Sequence, residues 1–362
     1  MKNTFGQSVS LTLFGESHGD MIGAVLDGMA PGLLVDEDFI RHQLSLRRPR
    51  GKISTARVEA DEFKIVSGLF EGRTTGTPLC VLIPNTNTRS GDYERGLPRP
   101  GHADYTAQCK YHGFQDYRGG GHFSGRVTAA LVAAGAIAIS ALRQNGILLG
   151  THISRLAGLC DRGFGNYEAD LETLGDLAFP VLDHTMGERM RERIEDAASE
   201  GDSVGGVLET AVIGLPAGVG EPWFDTVEGV LAHALFSIPG IKGVEFGDGF
   251  ALADMRGSEA NDGFRSMNGR IVTTTNHNGG INGGITNGMP VIFRTAVKPT
   301  PSIFRQQESV DLETGKNALL TLEGRHDPAI IHRARVVVDS VAALVLCDLL
   351  AQRFGTDFAD TH

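Results

Sequence analysis

The chain has 362 residues, 41% hydrophobic and 21% charged, an ordinary globular mix with length enough for a sizeable core. Its formal net charge of −11 excludes a nucleic-acid binder that works by bulk electrostatics, so any anionic partner has to be met by a local basic cluster. The 48 glycines are roughly twice the usual share and show no collagen-like period, so many backbone positions call for left-handed dihedrals or close approach.

Taken in chain order, residues 8–14, SVSLTLF, alternate polar and apolar and predict a half-buried strand. Residues 36–48 open with acidic DEDFI and stop before Pro49, the signature of a helix. PLCVLI at 78–83 predicts a buried strand. The segment 125–143, GRVTAALVAAGAIAISALR, is apolar almost all round and predicts a buried central helix. Residues 185–200 predict a solvated helix with Glu188–Arg191 and Arg193–Asp196 pairs. A helix over 225–237, capped by Asp225, and a last one over 335–354 before Gly355 follow, with strands at 204–213 and 290–297. Helices and strands do not alternate strictly, which favours α+β over a doubly wound sheet.

IGAVLDGMAPG at 22–32 is echoed by VGGVLETAVIGLPAG at 204–218, and TGTPLCVLI at 75–83 by TNGMPVIFR at 286–294, in the same order. An internal duplication would explain this. No Pro/Ser-rich linker divides the chain, so 1–362 is expected to fold as one domain, with a loose tail after about residue 355. Cys80, Cys109, Cys160 and Cys347 are far apart and suggest neither a zinc knuckle nor a disulfide framework. Glu16, His18 and Asp20 interrupt any apolar leader, and no run is expected to span a membrane. The expectation is a cytoplasmic protein with no membrane or nucleic-acid partner.

GGGHFSGR at 119–126 sits where a helix is about to begin, and a helix's first turn offers unpaired N–H groups and partial positive charge to an anion. Its plain alternative is a Gly-rich loop with Ser124 as N-cap. FGESHGD (14–20) and RPGHADYT (99–106) each place a histidine beside glycine, and LRRPRGK (46–52) gathers four cations. KPTPS (298–302) and GRHDP (324–328) complete the set. Singly, a loop histidine is usually structural and a basic run usually faces water. Together they describe a seat for small polyanions: arginine binds phosphate or carboxylate bidentately, glycine lets backbone N–H groups approach, and histidine moves a proton near neutral pH. The implied chemistry is acid catalysis on a phosphorylated ligand. No G-x-S-x-G elbow, P-loop or H-E-x-x-H site occurs, and His18, His102, His122 and His326 are not at metal-ligand spacing, so no metal is expected.

These stretches, with GDSVGGVLE, GVEFGDGF and NGGINGG, run in order from residue 6 to beyond 330, and the chain closely resembles the chorismate synthase family. The resemblance implies a β-α-β sandwich, a homotetramer, and conversion of 5-enolpyruvylshikimate 3-phosphate to chorismate and phosphate. That anti-1,4-elimination needs reduced FMN without net redox change, the flavin lending and recovering an electron. By motif, His18 is implied to protonate the leaving phosphate and His102 to protonate or steady the flavin near N1. Ser17, Ser124 and Asp327 are implied to act around flavin N5. Arg47, Lys52, Arg99 and Arg126 match substrate-anion contacts, the first two also a nicotinamide phosphate position. His122, Phe123, Ser124, Pro239, Gly240, Gly283, Lys298, Pro299, Thr300, Pro301, Ser302 and Arg325 match the flavin site.

The chain departs from the family pattern in reading GGGHFSGR where GGGRSSAR is common, in SIPG where Asn-Ala is usual, and in Lys52 where arginine is common. NADPH is a candidate reductant, and the lack of a visible reductase module points to an external flavin reductase. The rivals are an FMN-dependent NADPH:flavin reductase and a non-catalytic flavin- or RNA-binding protein; one tryptophan and 7% aromatics weigh against RNA stacking.

Overall fold

The computed structural model describes residues 2–49, 51, 53–54, 60–86, 95–322 and 327–359. Eight helices lie among them: α1 Glu37–Arg47, α2 Asp104–Tyr111, α3 Thr128–Gln144, α4 Tyr167–Asp176, α5 His184–Ser199, α6 Val227–Leu235, the short α7 Gly257–Ala260 and α8 Ile331–Phe354. Two five-stranded antiparallel sheets accompany them. The first runs Thr4–Phe5, Ser10–Gly15, Met21–Asp27, Leu79–Pro84, Lys64–Ser67; the second runs Ile241–Phe246, Val291–Val297, Gly206–Ile213, Leu148–Leu156, Leu159–Cys160.

The layers follow from side-chain period. Leu79, Val81 and Ile83 alternate with less buried neighbours, as do Val291, Phe293, Thr295 and Val297, so each sheet has one core face. Helix α3 covers the first sheet, α8 covers the second, and the two helices pack on each other, giving a sheet, helices, sheet sandwich. Their contact is close because Gly135 lacks a side chain: a Cβ there would fall 2.2 Å from the Ser340 Cβ. The α+β class and the sandwich expected from the sequence are both present.

The sequence echo has a structural counterpart. Met21–Asp27 pairs with Leu79–Pro84, and the echoing Gly206–Ile213 pairs with Val291–Val297. Reading the second sheet in reverse, each strand of one matches a strand of the other in position, while α1 and α3 correspond to α6 and α8 in chain order.

Four expectations need correction. The N-cap of α6 is Thr226, whose side chain accepts from Gly229 N, while Asp225 closes a preceding turn. Helix α8 starts at Ile331 because the apolar stripe continues through Val336–Val338 into Ile331. On α5, Arg191 lies over the Phe179 ring at 4.6 Å and His184 approaches Glu188 at 3.8 Å, in place of the expected acid–arginine pairs. Residues Gly125–Gln144 are long and apolar enough to cross a membrane, but 83% of that stretch is buried between the sheets. After α8 a turn at Thr356–Ala359 keeps Ala359 buried.

Candidate active site

A cleft of about 980 Å³ opens where the N-termini of α3 and α8 meet the end of α1 and the loop 298–302. Its border is the glycine run. Gly119, Gly120 and Gly121 have φ of 61°, 83° and 55°, a left-handed stretch that residues with a Cβ adopt poorly. Ser124 then caps the turn leading into α3, its hydroxyl accepting from Arg126 N at 3.3 Å. This is the N-cap that the sequence offered as the plain alternative, and it faces the cleft as well.

The turn carrying Ser17 and His18 is pinned from three sides. Ser17 N donates to Gly121 O at 3.0 Å, and the Asn85 amide donates to Glu16 O and Gly19 O at 2.9 and 2.7 Å. Ser17 is wholly buried, and its Oγ has no hydrogen-bond partner among the described residues. A Cβ on Gly119 would fall 2.7 Å from the His18 ring and 2.9 Å from Ser17 Oγ. Ser17 and His18 therefore stand against the glycine border without lining the cleft.

The basic cluster is organised by an acid. Asp61, with a buried side chain and φ of 50°, meets Arg47 at 3.3 Å, Arg48 at 3.8 Å and Arg126 in a short contact. Arg126 also donates to Asn85 Oδ1 at 2.9 Å and Pro84 O at 3.1 Å. Asn85 thus joins the His18 turn to Arg126. Asp327 pairs with Arg333 at 2.7 Å, and Arg333 Nε donates to Arg47 O at 2.7 Å, which brings the start of α8 onto the end of α1.

On the opposite wall, Asp104 accepts from Arg99 N, Nε and Nη2 at 3.0, 2.7 and 2.8 Å, and lies 2.6 Å from His102 Nδ1. Burial alone would raise this carboxyl, but the hydrogen bonds from Arg99 and His102 outweigh it and hold Asp104 well below the usual carboxylate range. Lys298 N donates to Gly240 O at 2.9 Å and Lys298 Nζ to Gly101 O, tying the 298–302 loop across the cleft. His122 Nδ1 lies 2.8 Å from Gly15 O, so this nitrogen carries the proton, and Phe123 packs edge-on against Tyr111.

Of the expected residues, Arg47, His102, His122, Phe123, Ser124, Arg126, Pro239, Gly240, Lys298, Pro299, Thr300, Pro301, Ser302 and Asp327 line this one cleft. Arg99 stands behind His102, and Gly283 sits in the hairpin turn between Ile281–Asn282 and Ile285–Thr286, outside the lining. Lys52 and Arg325 lie outside the described residues. Asp61, Asn85, Asp104 and Arg333 were not singled out from the sequence. Only Asp104 carried a signal, inside RPGHADYT.

Fold and site together define a class: an acidic α+β protein whose arginines and paired helix N-termini enclose a cleft bordered by histidines. A family model described as chorismate synthase matches residues 9–351. Chorismate synthases from Aeropyrum pernix and Thermococcus gammatolerans are each 47% identical, over 97% and 96% of this chain and 93% and 97% of their own lengths. A crystal structure of chorismate synthase superposes with a TM-score of 0.77 at 30% identity, covering 98% of this chain and 95% of that one. The chain belongs to the chorismate synthase family, and with it to the lyases.

Proposed function

We propose that the protein eliminates phosphate from 5-enolpyruvylshikimate 3-phosphate to form chorismate, with reduced FMN bound in the same cleft. The observation that carries this reading is the convergence of His102, Ser124, Lys298–Ser302 and Asp327, from four separated motifs, on one cavity at two helix N-termini. The residues fit a flavin. Thr300 Oγ1 is buried without a partner among the described residues, and Gly240 (φ 93°) leaves a surface that a Cβ would crowd against Ile330. Leu131, Val337 and Val341 supply an apolar floor for a ring.

When bound, reduced flavin supplies electron donation that no side chain offers. The chain's own residues do the rest. Arg47 and its neighbours, held by Asp61, bind the substrate's anionic groups, and the N-termini of α3 and α8 add partial positive charge. His18 is the acid for the departing phosphate, acting across the Cβ-free Gly119 border behind which it stands. His102 steadies charge on the opposite wall, and Asp327, oriented by Arg333, stands with Ser124 near the atom that gives up its hydrogen. The same reading takes a cytoplasmic homotetramer whose FMN is reduced by a separate reductase.

The test is anaerobic: protein, photoreduced FMN and 5-enolpyruvylshikimate 3-phosphate are mixed, and chorismate absorbance and phosphate are followed. Equal amounts of both, with no flavin consumed, are expected. A folded, FMN-binding protein that forms neither product refutes the assignment. NADPH oxidation by protein and FMN alone would overturn the external-reductase part, and light scattering checks the tetramer.

A further inference from the structure

The geometry points to Asp104 as the positioning residue that fixes the tautomer of His102, holding the proton on Nδ1 and leaving Nε2 as the nitrogen presented to the ligand. Its functional consequence rests on the reading above, but its structural content does not. His102 Nδ1 has two neighbours, Asp104 Oδ1 at 2.6 Å and Arg99 Nη2 at 3.1 Å. The two make opposite demands: a carboxylate only accepts, a guanidinium only donates. An unprotonated Nδ1 at 2.6 Å from a carboxylate oxygen would set lone pair against lone pair, so the shorter contact decides and Nδ1–H donates to Asp104. Arg99 Nη2, which carries two N–H groups, donates one to the same oxygen at 2.8 Å.

The other edge of the ring makes no hydrogen bond among the described residues. A Cβ on Gly120 would lie 3.2 Å from His102 Cε1 and 3.4 Å from Nε2, so that edge abuts the glycine run. No described residue bonds Nε2, and His102 lines the cleft. Neutral, Nε2 accepts; protonated, it donates with a positive charge that Asp104 balances against Arg99. Asp104 does not line the cleft, and its hydrogen bond to His102 is its link to it.

The substitution Asp104→Asn separates this role from packing. Its amide keeps most by turning the oxygen to Arg99 N and Nε, two donors, at the cost of the Nη2 bond, and this puts the NH₂ against His102 Nδ1. Nδ1 must then accept, and the proton moves to Nε2. The assay is two-bond ¹H–¹⁵N correlation of the imidazole in ligand-free protein at alkaline pH, where the neutral ring is read, with the His102 signals assigned by loss in His102→Gln. The intact protein is expected to show a protonated Nδ1 and a bare Nε2, and Asp104→Asn the reverse pattern. Turnover of the variant is expected to drop by roughly 10²-fold or more, mostly in kcat. A bare Nδ1 in the intact protein overturns the proposal outright, even where Asp104→Asn fails to fold. An unchanged tautomer in a folded Asp104→Asn overturns it equally. Because the spectra need no ligand, failure of the lyase assay leaves this result standing, and failure here leaves the lyase reading standing.

Discussion

Lowering the pH from 7 to 5 should destabilise the fold through one buried imidazole, His332, in the first turn of α8. The ring is 4% exposed, its Nε2 sits 2.9 Å from Ser54 Oγ, and its Nδ1 has no partner among the described residues. It faces the Phe179 ring at 5.9 Å between centroids. Burial, and then the charges of Arg333 and Arg191, push it from 6.5 down to about 3. In the unfolded chain it protonates near 6.5, so the unfolded state takes up a proton that the folded state refuses. Stability attributable to this group is intact above 6.5 and falls as the pH drops from there towards 3. At about 1.36 kcal/mol per unit, roughly 2 kcal/mol is lost by pH 5. The assay is urea unfolding of wild type and His332→Gln at several pH values between 7 and 5. The difference between their stabilities is expected to shift by about 2 kcal/mol in favour of the variant as the pH falls. Parallel curves for the two proteins would refute a neutral, buried His332.

A buried imidazole in the second sheet has the opposite sign. Burial would lower His152, but hydrogen bonds to Asp161 at 3.0 Å and Glu209 at 3.1 Å outweigh it and raise it above 6.5. Its contribution is present below 6.5 and lost as pH rises through the folded value, so wild type should lose stability relative to His152→Gln on going alkaline, measured by the same titration. Asp61→Asn should cost about 3–5 kcal/mol in urea unfolding, because two buried guanidiniums lose a counter-ion; a loss under 1 kcal/mol would mean that this pairing does not stabilise the fold. Gly119→Ala has to place a Cβ at φ 61° and 2.7 Å from the His18 ring. Its kcat should fall at least roughly tenfold with far-UV circular dichroism unchanged, and wild-type kcat would show that His18 is not held by this border.

What the sequence made legible follows periodicity and local chemistry. The apolar run PLCVLI announces a strand, in which Leu79, Val81 and Ile83 take the buried face, and the acidic DEDFI start with Pro49 as breaker announces α1, where Asp36 accepts from Phe39 N. The motif glycines were legible as backbone demands, and 119–121 do take left-handed φ. Asp61 was not legible, since its partners Arg47 and Arg126 are 14 and 65 residues away and nothing local marks it. Asn85 joins the 16–19 turn to Arg126 across similar distances. Such residues act by contacts that exist only after the sheets have paired. His18 shows the converse: its motif is plain, yet its place behind Gly119 depends on how the 119–121 backbone crosses the 16–19 turn.

The duplicated plan accounts for why the cleft lies where it does. Helices α3 and α8 hold corresponding places in the two halves and run in the same direction: Gly135 meets Ser340, and further along Cys347 Sγ donates to Ala138 O at 3.6 Å. Their N-termini therefore arrive together at one end of the sandwich, and both line the cleft. Two parallel helix dipoles disfavour each other, and each positive end favours an anion by only about 0.3–1 kcal/mol. Alone that is too little to hold a phosphate against water. On the proposed function the arginines from α1 and the turn before α3 supply the stronger part, and Asp61, paired with both, offsets their mutual repulsion. A single α/β half has one such helix end and no second wall, so on this arrangement the site is a property of the pair and not of either half.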